Sequence, residues 1–274
     1  MGDELIILDG DVVAHIACER AWKEKVEYFK VHGIDMDQFK GAKEIPGYEP
    51  HKDEKTLEKC VQMFRREMDI LSEELYSDNV IMAVKSGKNF RDEIYSDYKR
   101  DRGKWKIPNP FVDMIRSYAV EQSFATFAGD KEADDLIRIW AEEARKHDVP
   151  FVVASIDKDL RCIPGRHWNI KKKILDTVTE HDAMQLYYSQ LLSGDPTDFI
   201  PGLPGIGPKK AVNAILHCTT EEECQEIVCA MYFEAYGPEW ETYLLSNGKM
   251  IHIQRDWNDY FTLKEWAFVR DLRG

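Results

Sequence analysis

The sequence lacks the cysteine and histidine patterns that are typical of zinc sites and disulfide scaffolds. Its 274 residues include six cysteines but no CxxC pair and no HExxH motif. Free thiols of this kind are typical of a reducing intracellular compartment. The first apolar run, Leu5–Leu8, is far too short for a signal peptide or a membrane span. We therefore expect a soluble cytoplasmic protein that does not bind membranes.

The chain also lacks an excess of positive charge, with one local exception. The net charge is −13, which argues against a protein coated in basic patches. Between Lys85 and Lys106, however, eight basic residues stand beside four acidic ones, a net charge of +4. Screening acts over about 8 Å at physiological salt, so a local basic surface can work on an acidic protein.

Short apolar runs alternate with helical patterns along the first part of the chain. Four runs are predicted to be buried strands: Leu5–Leu8, Val80–Val84, Phe124–Phe127 and Phe151–Ala154. Apolar residues at helical spacing predict helices over Asp11–Trp22, Asp53–Tyr76, Phe111–Tyr118 and Lys131–His147. This alternation indicates an α/β fold with a parallel sheet. Residues 23–52 mix charges with glycine and proline, and we expect a surface excursion there.

The pattern changes near residues 171–179 to short helices broken by glycine and proline. We therefore predict a catalytic domain over residues 1–175 and a helical subdomain over residues 176–274. The second part contains the string Gly194–Ala211, with Gly205 and Gly207 before a predicted helix. A plain helix–helix turn would account for an isolated Gly-x-Gly. The exposed N–H groups of such a turn can also bind phosphate, and Lys209 and Lys210 add positive charge.

Acidic residues follow three of the four predicted strands. They are Asp9 after the first, Glu132, Asp134 and Asp135 after the third, and Asp157 and Asp159 after the fourth. The carboxyl ends of parallel strands meet at one edge of a sheet, where ligands bind. Carboxylates that gather there repel one another unless a counter-charge is present, and oxygen ligands suit Mg²⁺ or Mn²⁺. A helix dipole or a solvated loop would explain some of these acids, but not all of them together.

The basic segment contains a second candidate for chemistry. Lys99 and Arg102 are three residues apart, so one helix face could present both to a single phosphate. Tyr98 could stack on a base. A charged, solvated helix is the simpler explanation of this segment taken alone.

Taken in this order, the motifs resemble those of the 5′→3′ exonuclease and flap-endonuclease family. That family includes bacteriophage exonucleases and the nuclease domain of bacterial DNA polymerase I. The resemblance extends from Leu5 to about Arg255 and is nearest to the phage enzymes. It implies a PIN-like parallel sheet between helices, an arch at about residues 85–118, and an attached helix–hairpin–helix (H3TH-type) subdomain.

The resemblance also implies roles for individual residues. The implied metal ligands are Asp9, Glu132, Asp134, Asp135, Asp157, Asp159 and Asp198. The implied catalytic residues are Lys99 and Arg102, and the implied DNA-binding residues are Tyr98, Arg91, Gly205, Gly207, Lys209 and Lys210. Two Mg²⁺ or Mn²⁺ ions and a K⁺ at the hairpin are the implied cofactors. Asp195, in the same string as Asp198, has no assigned role.

One departure from the family pattern concerns the second strand, which is usually followed by an aspartate. Here Val80–Val84 is followed by Lys85 and Ser86. Ser86 cannot neutralise charge. Asp11, two residues after Asp9, could compensate, or it could face outward or cap the first helix.

The predicted function is a structure-specific 5′→3′ exonuclease and flap endonuclease that leaves 5′-phosphates by a two-metal mechanism. The predicted partners are DNA with 5′ ends, flaps or RNA–DNA hybrids, the last cleaved in the manner of RNase H, and the protein is expected to be a monomer. A non-catalytic DNA-junction binder is the alternative that the missing second-strand acid raises. A PIN-type ribonuclease is a further alternative, against which the Gly205–Lys209 hairpin speaks.

Overall fold

The computed structural model describes residues 4–94, 107–264 and 266 and contains a six-stranded sheet. The strands are β1 Leu5–Asp9, β2 Val80–Val84, β3 Thr126–Phe127, β4 Phe151–Ser155, β5 Gly165–Asn169 and β6 Ile174–Val178. Their order across the sheet is β3-β2-β1-β4-β5-β6, and every neighbouring pair is parallel except β5–β6. The predicted α/β fold with a mainly parallel sheet is thus confirmed.

Nine α-helices accompany the strands in the described residues. They are α1 Gly10–Val31, α2 Glu54–Leu75, α3 Phe90–Ile94, α4 Phe111–Glu121, α5 Ala133–Lys146, α6 Glu180–Ser193, α7 Pro208–Ile215, α8 Glu221–Tyr236 and α9 Trp240–Ile251. The prediction of a surface excursion over residues 23–52 is wrong for its first part, because α1 continues to Val31. Three one-turn 3₁₀ helices, Met36–Gln38, Ala42–Glu44 and Pro50–Lys52, occupy much of the remainder.

Both faces of the sheet are buried, which explains why the central strands are apolar without interruption. Successive side chains of a strand point to opposite faces. In β1, Ile6 and Leu8 pack into a core that α1, α2 and α4 cover, whereas Ile7 packs into a second core with residues of α5. Helices on both faces leave the carboxyl edge of the sheet available for a site.

The helices after β6 build a separate apolar core. Residues of α6, α7, α8 and α9 pack together there, including Leu192, Ile215, Val228 and Leu244. A short antiparallel pair, β7 Gly194–Asp195 and β8 Ile200–Pro201, connects α6 to the glycine-rich turn. None of the helices in the described part of the chain is both long and apolar enough to span a membrane.

Gly10 lets the first helix approach the sheet closely, directly after Asp9. A Cβ at this position would lie 2.6 Å from Met82 Cγ and from Val84 Cγ1, and 2.8 Å from the carbonyl oxygen of Ala83. We expect Gly10→Ala to lower the free energy of unfolding by about 1–3 kcal/mol, as overpacking does in tight cores. Urea unfolding measures this change. Gly87→Ala is the control, because in the part of the chain that the structure describes nothing lies within 4 Å of its added Cβ. Equal stability of the two variants would contradict the explanation.

Candidate active site

Asp9 lies at the carboxyl end of β1, beside the end of β4. The register pairs Leu8 with Ala154, which places Asp9 next to Ser155. The Asp9 carboxylate accepts a hydrogen bond from Ser155 Oγ at 2.7 Å and caps α1 by accepting one from the N–H of Val12 at 3.2 Å. Burial, together with the charges of Asp11 and Asp157, raises the pKa of Asp9 to about 7 despite the lowering effect of these hydrogen bonds. Because the negative charge of Asp9 is disfavoured at this position, a bound cation would stabilise it.

The turn after β4 holds Asp157 and Asp159 in a fixed relation to Asp9. Ser155 Oγ accepts a hydrogen bond from the N–H of Asp157 at 2.9 Å, and Asp157 Oδ1 accepts one from the N–H of Asp159 at 2.9 Å. Burial, with the charge of Asp157, raises the pKa of Asp159 to about 6. The charge of Asp157 therefore acts on both Asp9 and Asp159.

Glu132 and Asp135 form a capping box at the start of α5. Asp135 Oδ2 accepts a hydrogen bond from the N–H of Glu132 at 3.0 Å. Asp134, the intervening acid, lines a small cavity together with Glu132. This cavity has a volume of about 30 Å³, enough for a water molecule or an ion. Three more acids line it: Asp159, Asp195 and Asp198.

Asp135 itself faces a buried arginine. Arg91 Nη1 and Nη2 donate to the two carboxylate oxygens of Asp135 at 2.7 and 2.8 Å, and the Arg91 side chain is 2% exposed. Burial alone would raise the pKa of Asp135, but this ion pair holds it below its ordinary value. Both residues therefore differ from the sequence expectation. Asp135 directs its oxygens to Arg91, and Arg91 has no exposed guanidinium with which to bind DNA.

The Arg91–Asp135 pair also joins the two parts of the chain. Arg91 Nε donates to the carbonyl of Met250 at 3.2 Å, and Nη2 donates to that of His252 at 2.6 Å. Asp135 accepts a further hydrogen bond from the N–H of Gln254 at 3.0 Å. A single buried ion pair thus fixes α3, the start of α5 and the chain that leaves α9.

Asp195 and Asp198 belong to the turn between β7 and β8. Asp195 accepts a hydrogen bond from the N–H of Thr197 at 2.7 Å, and Lys158 Nζ lies 3.0 Å from its other oxygen. Burial alone would raise the pKa of Asp195, but the Lys158 ammonium holds this pKa below its ordinary value. Lys158 Nζ is also 3.9 Å from Asp159 Oδ1. Lys158 therefore supplies positive charge inside the acidic group.

Sequence reasoning missed Lys158 and the neutral donors that orient the carboxylates. Besides Ser155, Gln190 donates to Asp159 Oδ1 at 2.6 Å and Asn89 donates to Glu132 Oε1 at 3.1 Å. Lys158 stands between Asp157 and Asp159 in the sequence, so its position was a usable signal. No sequence signal indicated Asn89 and Gln190, because they come from distant segments of the chain.

No group of three or more His, Cys, Asp or Glu side chains among residues 4–94, 107–264 and 266 is arranged to hold a metal ion as it stands. The carboxylates of the strand ends are neighbours, but hydrogen-bond donors and Lys158 separate them. Like charges approach closely only around a counter-charge.

At the end of β2, Asp11 occupies the region where the family pattern has an acid. Asp11 Oδ1 accepts hydrogen bonds from the N–H of Lys85 at 3.2 Å and from Arg116 Nε at 2.7 Å. Ser86 Oγ donates to the carbonyl of Gly129. Asp11 therefore reaches the second strand, but Arg116 compensates its charge. Asp9, not Asp11, caps the first helix.

We expect Asp11→Asn to keep the DNA cleavage that the sequence predicts within about tenfold of the wild-type rate, because Arg116 already neutralises this carboxylate. The free energy of unfolding should fall by about 1–3 kcal/mol through loss of a charge-assisted hydrogen bond. Cleavage kinetics and urea unfolding measure the two effects. Asp113→Asn, which removes the exposed partner 2.5 Å from Arg116 Nη1, is the control. A loss of cleavage as large as that of a cavity-lining acid would instead support compensation by Asp11.

The predicted phosphate-binding turn precedes α7. Gly205 has a φ of +74°, a conformation that glycine adopts without strain, and Gly207 is the N-terminal cap of α7. No atom of the described residues outside the adjoining chain lies within 4 Å of a Cβ built on either glycine. Lys209 is exposed, and Lys210 Nζ donates to the carbonyl of Gly205 at 2.9 Å. Tyr98, Lys99 and Arg102 lie outside the described residues.

Comparison with known proteins gives consistent matches. The family model described as 5′-3′ exonuclease, N-terminal resolvase-like domain, matches residues 45–188, just over half of the chain. A 5′-3′ exonuclease of Mycoplasma pneumoniae is 26% identical over 77% of this chain and 70% of its own length. The flap endonuclease Xni of Shewanella piezotolerans is 32% identical over 46% of this chain and 54% of its own.

Two further matches concern a longer protein and a solved structure. DNA polymerase I of Bacillus caldotenax is 30% identical over 74% of this chain, which corresponds to only 25% of the polymerase. The crystal structure of the D15 protein of bacteriophage T5, co-crystallised with metal ions, superposes with a TM-score of 0.56 at 15% identity. That superposition covers 90% of this chain and 88% of the T5 protein. At this identity the likeness concerns the fold.

Proposed function

This chain belongs to the 5′–3′ exonuclease family that carries the N-terminal resolvase-like domain, and we propose that it hydrolyses DNA phosphodiesters with two divalent metal ions and leaves 5′-phosphates. Its function is that of a structure-specific 5′ nuclease. One observation carries the proposed chemistry. Acids of the turn after β4, the start of α5 and the β7–β8 turn line one cavity, and the charge of Asp157 in the turn after β4 helps to raise the pKa values of Asp9 and Asp159.

The donor set fits a hard divalent cation. Its ligand atoms are carboxylate oxygens, which suit Mg²⁺ or Mn²⁺. Burial and mutual repulsion leave negative charge that Lys158 compensates only in part. We propose that the ions are held by Asp9, Glu132, Asp134, Asp157, Asp159 and Asp198. When bound, they supply the Lewis acidity that activates water and stabilises the leaving oxygen.

The neighbouring residues of the chain keep this donor set in place. Ser155, Gln190 and Asn89 each donate one hydrogen bond to a proposed ligand, which fixes the carboxylate that receives it. Asp135 acts through Arg91, and the pair holds the start of α5 against the chain after α9. We propose that Asp195 holds Lys158 beside the acids, where its ammonium limits their repulsion.

We propose that DNA is bound by shape rather than by base sequence, because the candidate contacts suit the phosphate backbone. The open turn at Gly205 and Gly207, with Lys209, would bind duplex phosphates at the start of α7, with K⁺ as a further ligand there. Lys99 and Arg102 would neutralise the scissile phosphate and Tyr98 would stack on a base. In this proposal residues 1–175 form the catalytic domain with an arch at about 85–118, residues 176–274 form the helical subdomain, and the protein is a monomer.

A cleavage assay on a 5′-flap duplex tests the proposal. The wild-type protein should release 5′-phosphorylated products with Mg²⁺ or Mn²⁺ and none in EDTA. Binding of the flap without cleavage under all metal conditions would overturn the nuclease proposal and favour the junction binder. An RNA–DNA hybrid and single-stranded RNA serve as comparison substrates: we expect cleavage of the hybrid, whereas preference for single-stranded RNA would favour a PIN-type ribonuclease.

A further inference from the structure

The chain that follows α9 crosses the carboxyl edge of the sheet and exposes two aromatic side chains beside the acids. The Gln254 N–H and the His252 carbonyl attach this segment to Asp135 and Arg91, as described above. The segment presents Trp257 and Tyr260, which are 55% and 50% exposed. These rings are therefore held on a rigid support and yet remain open to solvent.

A buried lysine lies against both rings. Lys131 Nζ is 5.9 Å from the Trp257 ring centroid and 5.5 Å from that of Tyr260, and the residue is only 5% exposed. Its ammonium donates to Gln254 Oε1 at 2.6 Å and to the Trp257 carbonyl at 3.2 Å. Among the described residues no carboxylate pairs with it. The aromatic rings thus stabilise the ammonium by cation–π attraction.

The rings lie close to the candidate metal centre. Lys131 directly precedes Glu132, which lines the acidic cavity. The Tyr260 ring meets the Phe90 ring edge to face at 5.9 Å, and Phe90 directly precedes Arg91 at the start of α3. Tyr260 therefore contacts the residue before Arg91, and Lys131, which lies against both rings, directly precedes an acid of the cavity.

We propose that Trp257 and Tyr260 form a stacking platform for an unpaired base of the DNA strand that enters the site, and that Lys131 is its positioning residue. The proposal rests on the nuclease function and specifies how that function selects frayed 5′ ends. Aromatic rings stack on any base, so the platform gives no sequence preference. The Lys131 ammonium attracts both rings and so holds them in place for stacking.

DNA binding in EDTA tests the platform without requiring cleavage. Fluorescence anisotropy compares a duplex that carries a single-stranded 5′ tail with the same duplex whose tail is abasic. Trp257→Ala should weaken binding of the normal tail by about 5- to 100-fold, as loss of base stacking does, and Trp257→Phe should retain most of it. On the abasic tail, the wild-type protein and Trp257→Ala should bind alike. Phe233→Ala is the control, because Phe233 is an equally exposed ring (52%) on α8.

Different results would contradict the platform, the nuclease function and the positioning role of Lys131. Equal binding of the normal tail by the wild-type protein and Trp257→Ala overturns the platform, and so does an equal loss on both tails. A wild-type protein that binds the normal tail better than the abasic one but cleaves nothing with Mg²⁺ refutes the nuclease proposal and leaves the platform standing. Lys131→Met should abolish the preference for the normal tail and Lys131→Arg should restore it; a preference unchanged in Lys131→Met refutes the positioning role.

Discussion

Replacing Arg91 with methionine is expected to lower the free energy of unfolding by about 3–5 kcal/mol, because it leaves the buried Asp135 carboxylate without its partner. The same change removes the donors that satisfy the carbonyls of Met250 and His252. Urea unfolding followed by circular dichroism measures the loss. The transition should also separate into two, since Arg91 joins the sheet to the chain that leaves the helical region.

Arg161→Met is the matched control for Arg91. Arg161 forms an ion pair with Asp176 at 2.9 Å, but both side chains are exposed by more than 40%. Exposed pairs contribute about 0–1 kcal/mol, so this variant should unfold almost as the wild-type protein does. If Arg91→Met is equally stable, the buried pair is not what holds the two parts of the chain together.

The strands that the sequence predicted best are those whose two faces are both buried. Val80–Val84 and Phe151–Ala154 are apolar without interruption, so composition alone revealed them. The prediction of a buried strand over Phe124–Phe127 is wrong in extent and burial, because β3 contains only Thr126 and Phe127 and both are exposed. Strands β5 and β6 were not predicted, because β5 is rich in polar residues and β6 is the antiparallel edge strand. Four of the five residues of Ile174–Val178 are exposed, and polar side chains are tolerated there. An edge strand therefore shows little of the apolar pattern from which buried strands are predicted.

The candidate site was likewise predictable only in part. Acids at strand ends were predictable because topology alone brings those ends to one edge. The partner of each acid was not predictable, since partners come from distant segments. Arg91 lies in a run of basic residues and was expected to bind DNA, yet it reaches a carboxylate 44 positions later in the chain. Asp11 was considered as a substitute ligand, and its contact with Arg116 depends on the packing of α4 against α1.

Replacing Asp159 with asparagine should reduce the rate of metal-dependent flap cleavage by about 10²- to 10⁴-fold, because an acid that holds a catalytic cation contributes several kcal/mol. Asparagine has nearly the same shape, and its Oδ1 can still accept the hydrogen bond from Gln190. Any loss of activity should therefore reflect the lost charge rather than misfolding. Single-turnover kinetics on a 5′-flap duplex with Mg²⁺ measures the effect.

The stability of the same variant should change in the opposite direction. The pKa of Asp159 is raised to about 6, so at pH 7 the folded protein carries a carboxylate whose charge is disfavoured by burial and by Asp157. Removing that charge should raise the free energy of unfolding in EDTA by about 1–2 kcal/mol. Mg²⁺ should raise the melting temperature of the wild-type protein more than that of Asp159→Asn, because ligand binding stabilises the folded state.

Asp176→Asn separates the site from the general effect of removing a carboxylate. Asp176 lies on β6 and pairs with Arg161 at the surface. This variant should cleave at the wild-type rate and show the wild-type response to Mg²⁺. If Asp159→Asn behaves in the same way, the carboxylates at this edge do not hold the catalytic ion. A slower but more stable Asp159→Asn would instead show that the protein gives up stability to keep repelling charges at its catalytic edge.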